Sequence, residues 1–311
     1  MQPRPAPPSA LRPEGPLVDS LVTLAGTPDE TDAIDTQLVR IAQLAANLVP
    51  AVSYASITTL RDDSYTTVAA SNDIARAVDE AQYADGTGPC MDAMQTAAPV
   101  AMPDVTATMA WPRFRDEAFR LGLRSSLSIP LFAGSGVPIA ALNLYGHDPA
   151  TMAPLIAEVW SVYDPHRTQS NGRSGDTPGN GLRDNGPREG AARGNGALDN
   201  ATLDSAAQHS AAQHSAALHS AALDNGALDN GALDSAALDN GAGQLLTGLT
   251  EAFSVRALIQ RAIGVMMAGE HRSPEGAYLH LRDQAEHSGR SLTDVATAVL
   301  VSQASPAPPA D

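Results

Sequence analysis

Apolar side chains recur at Ile34, Leu38, Ile41, Leu44, Ala45 and Leu48, a spacing that places them on one face of an α-helix, and Pro50 ends the pattern. The period then changes to two. "YASITTL" (54–60) and "YTTVAAS" (65–71) read as strands around the turn "RDDS". A helix over "DIARAVDEAQ" (73–82) precedes the Gly-rich "DGTGPCMDAMQTAAP" (85–99), a short strand "VAMPDV" (100–105) and a helix across "PRFRDEAFRLG" (112–122). "RSSLSIPLFA" and "VPIAALNLYG" then form a hairpin around "GSG". Helix, two strands, a helical excursion and further antiparallel strands describe one α+β domain, residues 17–164.

Helical periodicity returns near the end of the chain. "LLTGLTEAFSVRALIQRAIGVMMAGE" reads as one long helix with Val255, Leu258, Ile259, Ala262, Val265 and Met266 on its apolar face. In "RSPEGAYLHLRDQAEHSG", Ser273 is placed as N-cap, Pro274 at the first helical position and Gly289 at the stop. Ser291 and Asp294 make a capping-box-like pair ahead of Leu292, Val295, Ala296 and Val299. None of the three helices can bury its stripe alone, so residues 246–302 are expected to pack as a three-helix bundle. Ile259, Ile263 and Met267 form a ridge flanked by the Leu258, Ala262, Val265 and Met266 side; one side is expected to pack within the bundle and the other to meet a second copy of the chain, hence a homodimer.

Between the two periodic regions lies monotony. Residues 165–245 contain nine consecutive pentads starting at Gly196, from GALDN through AAQHS to AALDN. A five-residue period has two readings, a β-helical stack or a flexible tether. Gln at the central position of two pentads and the lack of any aromatic residue favour the tether, because too little apolar area is available to offset chain entropy. The Pro-rich residues 1–16 and the tail 303–311 are expected to be disordered.

Composition removes whole mechanisms. All 19 basic residues are Arg, so no Walker A, Schiff-base or kinase-type lysine exists. The net charge of −16 is spread unevenly: 9 Arg against 19 Asp and Glu in 1–164, 5 against 9 in 165–245, and 5 against 7 in 246–311. Cys90 is the single cysteine, which excludes an intrachain disulfide or a cysteine-based metal site. No G-x-S-x-G, H-E-x-x-H or EF-hand pattern occurs, and the recurring His209, His214 and His219 sit in the pentads. The chain is therefore read as a non-enzyme with no cofactor. The N-terminus lacks the apolar core of a signal peptide, and no apolar run reaches membrane-spanning length; a cytoplasmic protein with no membrane partner is expected.

Two resemblances sharpen this picture. The order of elements over 17–164, with "QYADGTGPCMDA" and "LRSSLSIPLFAGSGVPIAALNLYG", resembles a GAF domain of the actinobacterial type. That likeness implies an antiparallel sheet flanked by helices that binds a small-molecule ligand or serves in dimerisation. "SVRALIQRAIGVMM…SPEGAYLHLRDQA…RSLTDVA" is similar to the ANTAR domain, the RNA-binding module of bacterial transcription antiterminators. The matching positions are Arg256, Ile259, Ala262, Gly264, Met267, Ala277, Leu281, Arg282, Leu292, Val295 and Ala296; where the pattern often carries Lys, this chain has Ile263. The resemblance implies stem-loops in nascent transcripts as partners.

Candidate site residues follow. Arg256, Arg261, Arg282 and Arg290 are suited to hold phosphates or stack on bases, against the alternative of solvated surface charges. Ala262 and Gly264, on an exposed helix face, would let an RNA loop approach the backbone; for Gly264 close helix packing is the competing reading. Tyr278 is read as core. Cys90 opens a short helix after a Gly-rich turn, where a thiol in a sensor pocket or with redox reactivity competes with a buried, inert one. The competing function is a non-enzymatic interaction protein whose bundle binds protein or DNA.

Overall fold

The computed structural model describes residues 15–29, 32–163 and 240–304. The pentads and both terminal tails lie outside the described residues, apart from the last pentad residue, Asn240, and the helical end at 303–304. Helices α1 (Pro16–Gly26) and α2 (Asp32–Leu48) lead into the hairpin β1 (Tyr54–Arg61) and β2 (Ser64–Ala70). Asp62 and Asp63 at its turn both take positive φ, 50° and 58°, the pair of left-handed residues that matches strand twist in a two-residue hairpin. Three helices follow, α3 (Asp73–Asp85), α4 (Pro89–Thr96) and α5 (Pro112–Arg120), with β3 (Val100–Met102) between the last two. Strands β4 (Ser125–Phe132) and β5 (Pro138–Gly146) and helix α6 (Pro149–Tyr163) complete this part.

The five strands form one antiparallel sheet in the order β2-β1-β5-β4-β3. Strand alternation sends Ile57, Leu127, Ile129, Leu142 and Leu144 to one face, where they join a core built by helices. Ser56, Thr58, Ser128, Asn143 and Tyr145 are also buried but point to the other face. The first face is covered by α1, α2, α6 and the next helix; the second by α3, α4 and α5. Helices α1 and α6 are additions to the elements read from the sequence. The first had visible signals, Pro16 at its start and Leu17, Leu21 and Leu24 at helical spacing. In α6 the internal Pro154 obscured the pattern.

Helix α7 (Asn240–Glu270) is continuous over 31 residues, about 46 Å at the usual rise. It begins six residues before the boundary expected at 246. Its first half lies in the core of the α+β domain, with Ala242, Leu245 and Leu249 buried among residues of α1 and α2. Glycines permit this approach. A Cβ on Gly241 would lie 1.6 Å from the Leu48 carbonyl oxygen, and one on Gly248 would lie 2.7 Å from Leu21 Cδ1. Its second half is the first helix of a bundle with α8 (Pro274–Ser288) and α9 (Leu292–Ala304).

The bundle's caps are those read from the sequence. Ser273 accepts from the Gly276 N–H, and Gly289 ends α8 at φ 65°. The Ser291 hydroxyl oxygen accepts from the Asp294 N–H at 3.0 Å. The bundle core takes residues from both apolar sides of α7: Ile259, Ala262, Ile263 and Met266 are buried together with Tyr278, Leu281, Leu292 and Val295. The ridge of Ile259, Ile263 and Met267 is the side that packs within the bundle, with Met267 partly buried, while on the other side Leu258 is partly buried and Val265 lines a groove.

Candidate functional sites

The predicted site residues do not share one surface. Ala262 is fully buried in the bundle, not on an exposed face as expected from sequence, because its position falls between the α8 and α9 contacts of α7. Arg256 is drawn into a contact within the fold. It points toward the β4–β5 hairpin, with its guanidinium carbon 3.8 Å from the centroid of the Phe132 ring and its Nε–H donating to the Gly136 carbonyl at 3.0 Å. Burial lowers its pKa from the usual arginine value, and the group stays charged.

Arg256 is one part of a larger contact. Gln260 donates to the Ser135 carbonyl at 2.6 Å. The Ser135 N–H donates to the Asp29 carboxylate at 3.1 Å, and the Asp29 N–H donates to the Tyr278 hydroxyl at 2.9 Å. A Cβ on Gly134 would lie 2.6 Å from Leu292 Cδ2 and 3.1 Å from the Thr27 carbonyl oxygen, so this turn has no room for a side chain. The "GSG" segment, read from sequence only as a hairpin turn, is therefore also the socket that receives the bundle. Phe253, at the centre of α7, adds an edge-on contact to Tyr163 with 4.6 Å between ring centroids.

Arg261, Gly264 and Arg290 remain on the surface. Gly264 has nothing within 4 Å of a built Cβ, which removes helix packing as the reason for that glycine. The Arg290 guanidinium donates to the Asp294 carbonyl at 3.1 Å. Arg282 is half-buried, 4.0 Å from the Glu286 carboxylate. A groove of about 620 Å³ opens between the C-terminal end of α7, the C-terminal end of α8, and α9. Val265, Met266, Val295, Ala298 and Val299 supply its apolar surface.

In the sensor-side domain the second sheet face carries a buried polar network. The fully buried Asp79 carboxylate accepts from Tyr145 Oη at 2.5 Å, Thr67 Oγ1 at 2.8 Å and Asn143 Nδ2 at 3.2 Å. Burial raises its pKa to about 6, opposed by these hydrogen bonds. Tyr83 joins Thr58 and Thr67 through its hydroxyl, at 2.8 Å from each. Cys90 sits beside this network, fully buried, its backbone N–H donating to the Gln82 side chain at 3.0 Å. Burial, aided by the Asp79 charge, pushes the thiol well above its usual range, outweighing any helix-terminus effect. The reading of Cys90 as a reactive redox thiol is not supported; its place next to the polar network is. Sequence alone missed Asp79, since its partners come from β2 and β5. Ser126 Oγ is buried at this face without a partner among the described residues.

The geometry defines a class: an α+β domain whose core accepts the first half of a helix that continues into a small three-helix bundle. A GAF-domain family model matches residues 32–158, and an ANTAR-domain family model matches residues 247–300. The chain carries a GAF domain and an ANTAR domain, the pairing of a GAF–ANTAR regulator. Among solved structures, a domain of a two-component sensor histidine kinase protein from Sinorhizobium meliloti is similar over 48% of this chain and 100% of that one, at 17% identity and a TM-score of 0.28. No curated protein matches.

GAF and ANTAR domains are regulatory and non-catalytic. Among the described residues no group of three or more His, Cys, Asp and Glu is placed to hold a metal, and no helix is long and apolar enough to cross a membrane.

Proposed function

We propose that this chain binds stem-loops in nascent transcripts through its ANTAR domain and prevents termination, under control of its GAF domain. The observation that carries the reading is the ANTAR match over residues 247–300. The solvent-facing positions of Arg261, Gly264 and Arg290 support it, since cations at an open helix surface suit phosphates and a loop close to the backbone. Arg256 and Ala262 lie outside this surface, and Arg282 lies half-buried beside Glu286. The reading places the protein in the cytoplasm, where transcripts are made, and makes it no enzyme.

The GAF domain supplies the control. Its buried Asp79 is held by Tyr145, Asn143 and Thr67 beside the unpartnered Ser126 hydroxyl, a network that ties α3 to strands β2 and β5. Strand β4 passes from Ser126 and Ser128 to Phe132, and the turn that follows grips α7, so a change at the network has a short path to the ANTAR domain. A paired-hairpin target calls for a homodimer; its surface is not the ridge of Ile259 and Ile263, which is internal.

Gel shifts of the full chain with tandem stem-loop RNA and with duplex DNA of similar length test the function. Tighter RNA binding, with read-through of a terminator placed behind the stem-loops in a transcription assay, is expected. Preference for duplex DNA, or no binding to either, overturns it and leaves an interaction module for DNA or protein.

A further inference from the structure

The ANTAR groove has a composition at odds with the rest of this chain. Its ionisable lining residues are His287 and Arg290, and none of the described residues lining it is acidic, in a protein of net charge −16. The neighbouring carboxylates stand outside the lining: Glu286 lies beside Arg282, while Asp283 and Asp294 are exposed on α8 and α9. His287 Nδ1 lies 2.8 Å from the Asp283 carbonyl. In the neutral ring this contact places the N–H on Nδ1 and leaves Nε2 free as an acceptor. Gln284 and Ser302 add further hydrogen-bonding groups at the edge.

Below this polar rim the groove is aliphatic, and its volume falls within the range of small-ligand sites. Arg261 extends the cationic character. It precedes Val265 by four residues and Gly269 by eight, so the three share one ridge of α7. Two cations therefore border the aliphatic floor, Arg261 one turn before Val265 on α7 and Arg290 in the lining ahead of α9. None of the residues that grip the GAF domain, Arg256, Gln260, Tyr278 and Leu292, lines the groove. It is open while the two domains are docked.

Resting on the RNA reading above, we propose that this groove is a base-accepting site: one unpaired loop base of the RNA packs on Val265, Ala298 and Val299, over the buried Met266 and Val295, and the adjoining phosphates meet Arg261 and Arg290. A flat apolar face, an edge with hydrogen-bonding groups and an anionic backbone are together what the floor, the rim and the two arginines complement. Sequence-selective contact comes from the rim, through His287 and Gln284; the arginines contribute affinity that depends on salt.

The test uses the full chain with stem-loop RNA, and the same RNA with each loop base in turn replaced by an abasic residue. Two groove-filling variants keep every charge, Ala298→Leu on the floor and Gly269→Leu at the open edge, where a built Cβ meets nothing within 4 Å. Each is expected to weaken binding at least tenfold with an unchanged salt slope. One abasic position should weaken wild-type binding and cost the filled variants no more, as expected for two changes that remove one contact. Arg290→Gln should lower both affinity and salt slope. Filled variants that keep their circular dichroism and bind as tightly as wild type overturn the groove while leaving RNA recognition intact. Additive losses from filling and from every abasic position overturn it as well. Wild-type protein that binds no stem-loop RNA refutes the functional reading itself.

Discussion

Arg256→Ala isolates the contact between the GAF and ANTAR domains. The substitution removes a guanidinium stacked 3.8 Å from the Phe132 ring centroid and a charged hydrogen bond of 3.0 Å to the Gly136 carbonyl. A cation–π pair contributes about 0.5–2 kcal/mol and a hydrogen bond to a charged group about 1.5–3 kcal/mol. The site is only half-buried and solvent screens part of both, so the sum is discounted to about 2–3 kcal/mol. Opening of the domain contact should rise by roughly 30- to 150-fold. Amide exchange reads this directly, because the Asp29 N–H of the GAF domain is held by the Tyr278 hydroxyl of the bundle. This amide should exchange faster by that factor, while Leu142 and Leu144 in the sheet should be unaffected. RNA affinity and its salt dependence should stay level or rise. Unchanged exchange at Asp29, together with weaker RNA binding and a flatter salt slope, would return Arg256 to the RNA surface.

Gly134→Ala should open the same contact, since the new methyl meets Leu292 Cδ2 at 2.6 Å with a backbone carbonyl behind it; overpacking of this kind costs about 1–3 kcal/mol, and faster Asp29 exchange without loss of GAF stability would register it. Leu245→Ala should lower the stability of the GAF domain by about 2–5 kcal/mol, although the residue stands beyond the pentads in sequence; denaturant melts followed at Trp111 and Trp160 would detect it, and an unchanged midpoint would exclude α7 from that core. Asp79 has a folded pKa of about 6 against 3.8 for the ordinary carboxyl, so between those values the unfolded chain ionises first and stability falls as pH rises. The loss, about 3 kcal/mol between pH 4 and pH 7, should level off above the folded value, and Asp79→Asn should flatten it in urea melts at each pH. Cys90 should resist a thiol-specific reagent in the native protein and react only on unfolding; fast native reaction would overturn its burial.

How much of the site was legible depended on the distance between partners. Ser273, Gly289 and Ser291 cap helices through groups three or four residues away, so local pattern was enough to place them. The turn at Asp62 and Asp63 was readable for the same reason. Asp79 was not, because Tyr145 is 66 positions further on and reaches it only once α3 lies across the sheet. A helical Asp among Ala, Val and Glu looks like any surface carboxylate.

What the sequence determined by itself is therefore most of the inventory: the helices and strands other than α1 and α6, that two periodic regions flank a monotonous one, and that GAF and ANTAR patterns occupy those regions. Periodicity and caps are properties of neighbouring residues, and they survive without a partner. Tertiary structure alone decided the allegiance of each side chain. Periodicity offered one of two apolar sides to a second chain without saying which; α8 and α9 enclose Ile259, Ala262, Ile263 and Met266 and leave Val265 at an open groove. Arg256 and Arg261 are five residues apart on one helix and chemically alike, but the first meets a turn 120 residues earlier in the chain and the second stays in solvent. The same holds for α7 as a whole. Its residues read as one helix, but only the approach of Gly241 to Leu48 and of Gly248 to Leu21 places its first half inside the GAF core. A hydrophobic face states that something must cover it; the fold of the whole chain chooses what does.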